Sequence, residues 1–177
     1  MKGYYKDEEA TRKVLKEGGW FDTGDLGRVT LSGDLIITGR VKDTIVLLGG
    51  ENVEPEPIET ALKGSAFIAN IMVVGQDRKY LAALICPNYQ LLAESLGNQA
   101  LDPHVLLKDP SINDLIKREI TSRNNEANGF RQHEKVVKFA LVGEEWSREN
   151  GLMTPTLKLK RNVITERYRE VIERMYS

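Results

Sequence analysis

The sequence predicts an α+β fold, with a small central sheet of about three strands, flanking helices and a separate β-hairpin nearer the N-terminus. Helical and strand-like patterns are interleaved along the 177 residues without a regular strand–helix–strand repeat. Short apolar runs bounded by glycine or polar turns are typical of strands. Segments with apolar residues at helical spacing lie between and after these runs.

The N-terminal segment predicts one helix and one hairpin. The helix covers 7–17, because acidic residues occupy its first turn and two glycines follow it. The hairpin strands are 28–31 and 35–38, joined by a turn that contains Gly33. The charged stretch 39–43 has few apolar residues and is the predicted domain boundary.

The next elements form the predicted centre of the fold. An apolar strand over 44–48 is interrupted by two glycines. A helix over 56–63 has Pro57 in its first turn, which favours helix initiation. Strands over 71–75 and 80–87 flank a polar turn.

The C-terminal part predicts three helices and one strand. One helix covers 89–96, and a capping box at 111–114 is expected to begin the second. A strand over 136–142 and a loop over 143–159 follow. The last helix is expected to bury one face, formed by Val163, Ile164, Tyr168, Val171, Ile172 and Met175.

Composition excludes several classes of partner. The 25 basic and 26 acidic residues give a net charge of −1, so no nucleic-acid partner is expected. The single cysteine, Cys86, excludes an internal disulfide and lies in an apolar run, where we expect it to be buried. The two histidines are far apart, so no metal site is expected.

No apolar stretch approaches the roughly 18 residues that cross a membrane. The N-terminus has no apolar segment resembling a signal peptide. We therefore expect a soluble, cytoplasmic protein, for which only peripheral contact with a membrane remains open.

Asp25, in the stretch Thr-Gly-Asp-Leu over 23–26, is the first candidate site residue. An aspartate in a glycine-flanked turn points outward, and its two oxygens can accept hydrogen bonds from two adjacent hydroxyls, such as those of a ribose. The structural alternative is an Asx-type turn that closes the loop before the hairpin.

Arg40, Gly49 and Gly50 form the second candidate group. The planar guanidinium of Arg40 suits phosphate or ribose oxygens. Gly49 and Gly50 would let a ligand approach the backbone closely, because no side chain covers it. The alternatives are a surface charge cluster and an ordinary turn.

Lys158 is the third candidate, placed between two leucines in the loop before the last helix. There it could enter an active site and stabilise charge developing on a phosphate and an attacking carboxylate. The alternative is a solvated basic start of the helix, although cations are disfavoured at helix N-termini.

In order and spacing, these segments resemble the adenylate-forming enzymes, which include acyl-CoA synthetases, luciferases and peptide-synthetase adenylation domains. The stretch 20–26 resembles their aromatic-x-TGD motif, and 39–59 resembles their GR-x-K-D…G…P…IE hinge motif. Pro-Thr-Leu-Lys over 155–158 resembles their C-terminal lysine motif, with Leu157 where most members carry glycine. Lys160, two residues later, is the nearest other lysine that could occupy the lysine position of this motif. The glycine and lysine segments and the helical region 89–133 most resemble bacterial long-chain fatty acyl-CoA synthetases.

The resemblance implies a role for each candidate. Asp25 holds the ribose hydroxyls and Arg40 lies near the same nucleotide. Lys158 bridges the carboxylate and the α-phosphate during adenylation. Lys42 is the hinge residue, at which rotation brings Gly49 and Gly50 to the pantetheine tunnel for transfer to coenzyme A.

The resemblance also implies the domain organisation. Residues 1–40 would be the tail end of a large AMP-binding domain, 41–43 the hinge and 44–177 the mobile C-terminal domain. No Ser/Thr/Gly-rich phosphate loop occurs in the sequence. We therefore expect a piece of a longer enzyme, inactive by itself, whose own N-terminal domain binds most of the ATP and Mg²⁺ and the fatty acid.

Two other functions remain open at this point. The chain could come from an aryl-CoA ligase or a peptide-synthetase-type adenylation domain. It could instead be a non-catalytic module that binds a small molecule and regulates a partner.

Overall fold

The computed structural model describes residues 1–95 and 107–177. These residues form two compact units, Met1–Thr44 and Ile45–Ser177. The α+β class is confirmed, including the three-stranded sheet and the hairpin. The last residue of the predicted helix 89–96 lies outside the described residues. No helix in the described ranges is both long enough and apolar enough to cross a membrane.

The first unit begins with helix α1 (Glu8–Val14), which is shorter than predicted. The carboxylate of Asp7 caps it by accepting a hydrogen bond from Ala10 N at 2.8 Å. The chain leaves the helix at Leu15, which forms an isolated β-bridge with Phe21. That pairing ends the helix before the predicted residue 17.

The hairpin of the first unit consists of β1 (Asp25–Val29) and β2 (Leu35–Arg40). The strands are antiparallel, and Gly33 takes a φ of +89° in the turn. The hairpin is confirmed, but β1 begins three residues and ends two residues before the predicted 28–31, and β2 extends two residues beyond the predicted 35–38. No hydrophobic side chain described in the first unit is buried, and Val29, Leu31 and Leu35 are largely exposed.

The second unit begins with a short two-stranded ladder. Strands β3 (Ile45–Val46) and β4 (Asn52–Val53) pair in antiparallel fashion, so the strand predicted over 44–48 was too long. Helix α2 (Pro55–Lys63) follows as predicted, with Gly64 at its C-terminal end.

The central sheet contains β5 (Ile68–Val74), β6 (Leu81–Pro87) and β7 (Val136–Leu141) in that order. Strand β6 is antiparallel to β5 and parallel to β7. Every residue of β6 is buried, because the strand lies in the middle of the sheet and both of its faces are covered. This explains its uninterrupted apolar run.

Helices cover both faces of this sheet. One buried cluster joins the sheet to α2 and to α4 (Pro110–Arg123), and the short helix α3 (Tyr89–Ser95) contributes Leu92 to it. The other cluster joins the sheet to the C-terminal helices. Successive strand residues point to opposite clusters, as the pleat requires.

Helix α4 begins earlier than the predicted capping box. Asp109 is the N-cap, and its carboxylate accepts a hydrogen bond from Ser111 N at 2.8 Å. Pro110 takes the first helical position, where its missing N–H costs nothing. The capping box predicted at 111–114 is therefore wrong, because those residues already lie inside the helix.

The predicted last helix consists of two helices, α5 (Arg161–Arg167) and α6 (Arg169–Tyr176). The helix breaks at Tyr168, whose hydroxyl donates to Glu144 Oε2 at 3.1 Å. Ile164 is buried, whereas Val163 is exposed. The expected single apolar face was therefore wrong for Val163.

Candidate active-site residues

Asp25 and Arg40 lie side by side at the open end of the hairpin in the first unit. Their Oδ1 and Nε atoms are 3.0 Å apart, and Arg40 Nη2 donates to Thr23 O at 3.3 Å. The side chains are 36% and 52% exposed, so solvent or a ligand can reach both. The ion pair orients the carboxylate of Asp25.

The Asx-type turn considered for Asp25 is formed by Asp22. The carboxylate of Asp22 accepts a hydrogen bond from Gly24 N at 3.0 Å, and Thr23 Oγ1 accepts one from Asp25 N at 3.1 Å. Gly24 takes a φ of +69°, which favours glycine. The carboxylate of Asp25 is thus not needed to close this turn.

Lys42 lies in a turn closed by one carbonyl group. The oxygen of Arg40 accepts hydrogen bonds from Asp43 N at 3.0 Å and Thr44 N at 3.1 Å. The side chain of Lys42 is exposed and belongs to no buried cluster of the described residues. This geometry is compatible with a hinge, and the hinge role remains a prediction.

Gly49 and Gly50 form the tip of the loop between β3 and β4. Leu47 O accepts a hydrogen bond from Gly50 N at 2.9 Å, and Gly50 takes a φ of +87° with open space around it. Leu48 N donates to Arg78 O at 2.9 Å on the other side of this segment. The loop is therefore anchored, and Gly50 is bare backbone that a ligand can approach. The expectation that no side chain covers this backbone is wrong for Gly49, because the carboxylate of Glu51 lies where a Cβ atom of Gly49 would stand.

Lys158 ends a tight loop that begins at Thr154. Thr154 N donates to Lys158 O at 2.8 Å, Leu157 N to Thr154 O at 2.9 Å, and Lys158 N to Thr154 Oγ1 at 3.1 Å. Leu157 has a φ of +60°, the left-handed conformation that favours glycine. Its side chain is 64% exposed. Leucine thus occupies a glycine-like backbone position.

The ammonium group of Lys158 is exposed and has no ion pair or hydrogen bond with any residue in 1–95 or 107–177. Lys160 is exposed too, but its backbone N–H donates to Leu152 O at 2.9 Å, beside the core. Lys158 therefore presents a free cation from a defined loop.

An ion pair that was not predicted from the sequence lies next to this loop. Arg161, the first residue of α5, places Nη2 at 2.6 Å from both carboxylate oxygens of Glu59 on α2. Glu59 also accepts a hydrogen bond from Val73 N at 2.7 Å, and Arg161 Nη1 donates to Val73 O at 3.3 Å. Burial raises the pKa of Glu59, and the guanidinium opposes part of that rise. The signal for this pair was a cation at a helix N-terminus, where it needs a partner.

Cys86 is fully buried, as predicted. Burial raises the pKa of its thiol to about 11, so it stays protonated at neutral pH and is a poor nucleophile. Within the described part of the chain, no group of three or more His, Cys, Asp or Glu could hold a metal ion.

Asp25 and Arg40 are thus in direct contact, and Lys42 follows them in the same unit. Gly49 and Gly50 share one loop of the second unit, and Lys158 lies in a separate loop of that unit. The assigned roles of all six remain predictions.

Comparison with known proteins provides a family match. The family model described as the AMP-binding enzyme C-terminal domain matches residues 42–177. A long-chain-fatty-acid–[acyl-carrier-protein] ligase of Arabidopsis thaliana is 37% identical over 100% of the chain and 24% of its own length. A long-chain-fatty-acid–CoA ligase of Mycobacterium tuberculosis is 35% identical over 99% of the chain and 29% of its own length.

A solved structure supports the same fold. The adenylation domain of a carboxylate reductase from Mycobacterium chelonae superposes with a TM-score of 0.78 at 29% identity, over 98% of this chain and 26% of that one. The chain thus spans about a quarter of the length of the curated relatives that it matches.

Proposed function

The chain belongs to the family of AMP-binding enzyme C-terminal domains, and we propose that it is the C-terminal region of a fatty acid ligase. The proposed enzyme joins a long-chain fatty acid to AMP, using Mg²⁺-ATP, and then transfers the acyl group to the thiol of coenzyme A. Relatives at 35–37% identity that are named long-chain fatty acid ligases support this substrate class.

The observation that carries the proposal is the loop that presents Lys158. Adenylation brings together a carboxylate and a triphosphate, which repel each other, and charge develops on the α-phosphate as the bond forms. Lys158 is exposed and has no carboxylate partner among the described residues, so it can approach both groups and reduce this repulsion. The left-handed backbone at Leu157 supports the alignment with a motif that usually has glycine there.

Asp25 and Arg40 are proposed to bind the nucleotide. The carboxylate of Asp25 would accept hydrogen bonds from the two ribose hydroxyls, and Arg40 would hold that carboxylate in place or contact a nearby oxygen of the nucleotide. Both side chains are accessible, and the 3.0 Å ion pair keeps them oriented.

The first unit is proposed to be the end of a larger N-terminal domain. Its hairpin exposes Val29, Leu31 and Leu35, and none of its described hydrophobic residues is buried. Apolar side chains on a hairpin need a second layer to cover them. A preceding domain would supply that layer, together with the fatty acid pocket and most of the contacts to Mg²⁺-ATP.

Lys42 is proposed as the hinge between the two half-reactions. Rotation there would withdraw Lys158 after adenylation and bring Gly49 and Gly50 to the path of the pantetheine arm. The family match begins at residue 42, which agrees with a boundary at this position. Localisation in the cytoplasm stays a prediction; the Arabidopsis relative is named chloroplastic.

An acyl carrier protein is the second candidate acceptor, because the Arabidopsis relative is named for that reaction. The experiment is an assay of the full-length enzyme that carries this chain. Exchange of pyrophosphate into ATP should depend on a long-chain fatty acid, and acyl product should form with coenzyme A. Exchange dependent on an aryl acid or an amino acid would refute the fatty acid assignment, and product with carrier protein alone would change the acceptor.

A further inference from the structure

The ion pair of Glu59 and Arg161 stands out among those of the described residues. Its side chains are only 10% and 22% exposed, whereas most other pairs lie at the surface, such as that of Arg167 with Glu144. One guanidinium nitrogen contacts both carboxylate oxygens at 2.6 Å. A charge-assisted contact of this kind fixes both the distance between the two side chains and their relative orientation.

This ion pair joins three elements through the backbone of one residue, Val73. Glu59 belongs to α2, Arg161 begins α5, and Val73 of β5 donates its N–H to the carboxylate and accepts from the guanidinium. The start of α5 therefore cannot shift along the sheet without breaking the contacts of Arg161 with both Glu59 and Val73 O.

Lys158 lies three residues before Arg161 in the sequence. Three peptide units span at most roughly 11 Å, so a fixed Arg161 sharply limits where the lysine loop can reach. Lys160 N adds a hydrogen bond to Leu152 O between the two. The loop is thus held at its end by a buried contact, while its side chain stays free.

We propose that Glu59 and Arg161 are positioning residues that set the place from which Lys158 enters the adenylation site. This inference rests on the proposed function of Lys158. A buried ion pair is seldom more stabilising than well-packed apolar side chains, because both charges lose water. What distinguishes this ion pair is that it holds its two side chains in one geometry. A loop that must bring one ammonium group to a reacting phosphate needs such a fixed support.

The first test separates positioning from folding. Arg161→Met removes the buried contact, and Arg167→Met makes the same substitution at the other end of α5, in a more exposed ion pair. In the full-length enzyme, Arg161→Met should slow adenylation by about 100-fold through misplacement of the lysine. Thioester formation from supplied acyl-adenylate should stay within about twofold of the unmodified enzyme, and Arg167→Met should leave both steps unchanged.

Equal losses in the two half-reactions would show a structural role only and would overturn the inference, as would unchanged adenylation. If Arg161→Met does not fold, Arg161→Lys replaces it. Lysine keeps the charge but has a single nitrogen, so it cannot replace both the Nη2 contact with Glu59 and the Nη1 contact with Val73 O, and adenylation should still fall selectively.

The second test follows the loop itself by amide hydrogen exchange in the 177-residue chain. Leu157 N and Lys158 N both donate to Thr154, so their protection reports whether the loop is intact. Arg161→Lys should raise exchange at these two amides about tenfold or more, with Ala83 in β6 unchanged.

The two tests distinguish the failures. Faster exchange with unchanged adenylation contradicts this inference alone. Intact adenylation in Lys158→Ala contradicts the proposed function, whatever the exchange rates are.

Discussion

Leu157 provides a direct test of the backbone geometry next to Lys158. Its φ of +60° costs a residue with a Cβ atom about 1–2 kcal/mol, and glycine does not pay that cost. Leu48 is a matched control, since it is 65% exposed against 64% for Leu157 and is not among the residues with positive φ. We therefore compare Leu157→Ala and Leu157→Gly with Leu48→Ala and Leu48→Gly.

The expected effect is obtained in two steps: the stability of the glycine variant is compared with that of the alanine variant at each position, and the two results are then compared with each other. At either position, glycine destabilises relative to alanine by about 0.5–1 kcal/mol, because it gains more freedom in the unfolded chain. At position 157 alone, glycine also removes the left-handed strain. We subtract the glycine-minus-alanine difference in the free energy of unfolding at position 48 from the same difference at position 157. The contribution of the unfolded chain cancels, and about 1–2 kcal/mol in favour of glycine at position 157 is left.

Urea unfolding of the four variants of the 177-residue chain measures this quantity. Leu157→Gly should be more stable than Leu157→Ala, and Leu48→Gly should be less stable than Leu48→Ala, with unchanged m-values. The same order at both positions would refute the left-handed conformation at Leu157. It would also remove the structural support for aligning this loop with the family's glycine-containing motif.

Three further predictions concern other parts of the chain. Lys42→Pro fixes the φ angle at residue 42 and restricts the backbone of the preceding residue. In the full-length enzyme it should therefore slow thioester formation while pyrophosphate exchange continues. Loss of pyrophosphate exchange instead would show that the hinge is misplaced. Asp25→Ala should raise the KM for ATP by roughly tenfold or more, as expected for lost charge-assisted hydrogen bonds, and an unchanged KM would remove Asp25 from the nucleotide site. Burial raises the pKa of Cys86 to about 11 and that of Tyr176 to about 12, so the unfolded chain ionises first as the pH rises. The free energy of unfolding should then fall above about pH 9, by about 1.4 kcal/mol per unit for Cys86 alone, and Cys86→Ala should reduce that fall; a flat profile would contradict the shifts.

Elements with strong local signals were predictable from the sequence. Gly33 in a turn between two strand patterns predicted the hairpin, and Pro57 in the first turn predicted α2. The apolar run over 80–87 predicted the strand β6, and the structure adds that the strand is buried on both faces. In each case the residues of the segment itself favour the same structure that the rest of the fold requires there.

Elements that depend on contacts distant in sequence were not predictable. The helix break at Tyr168 accompanies a hydrogen bond to Glu144 and a ring contact with Trp146, and neither is visible in helical spacing. The start of α4 was misplaced because Asp109 and Pro110 are a stronger start signal than the serine that follows them.

The candidate site shows the same division. Motif order predicted Asp25, Arg40 and Lys158 as site residues, but it could not reveal that Arg161 is bound by Glu59, 102 residues away. The sequence did contain the relevant anomaly, a cation at a helix N-terminus. Its explanation is a buried partner and not solvation, because the side chain of Arg161 is only 22% exposed.

The role of Lys158 is tested most directly by separating the two half-reactions in the full-length enzyme. Lys158→Ala should reduce fatty-acid-dependent pyrophosphate exchange by a factor on the order of 100 to 1,000, because a charge that stabilises the transition state is lost. Transfer from supplied acyl-adenylate to coenzyme A should remain, and Lys160→Ala should leave both steps intact. Equal damage to both steps by Lys158→Ala, or loss of exchange in Lys160→Ala alone, would contradict the account.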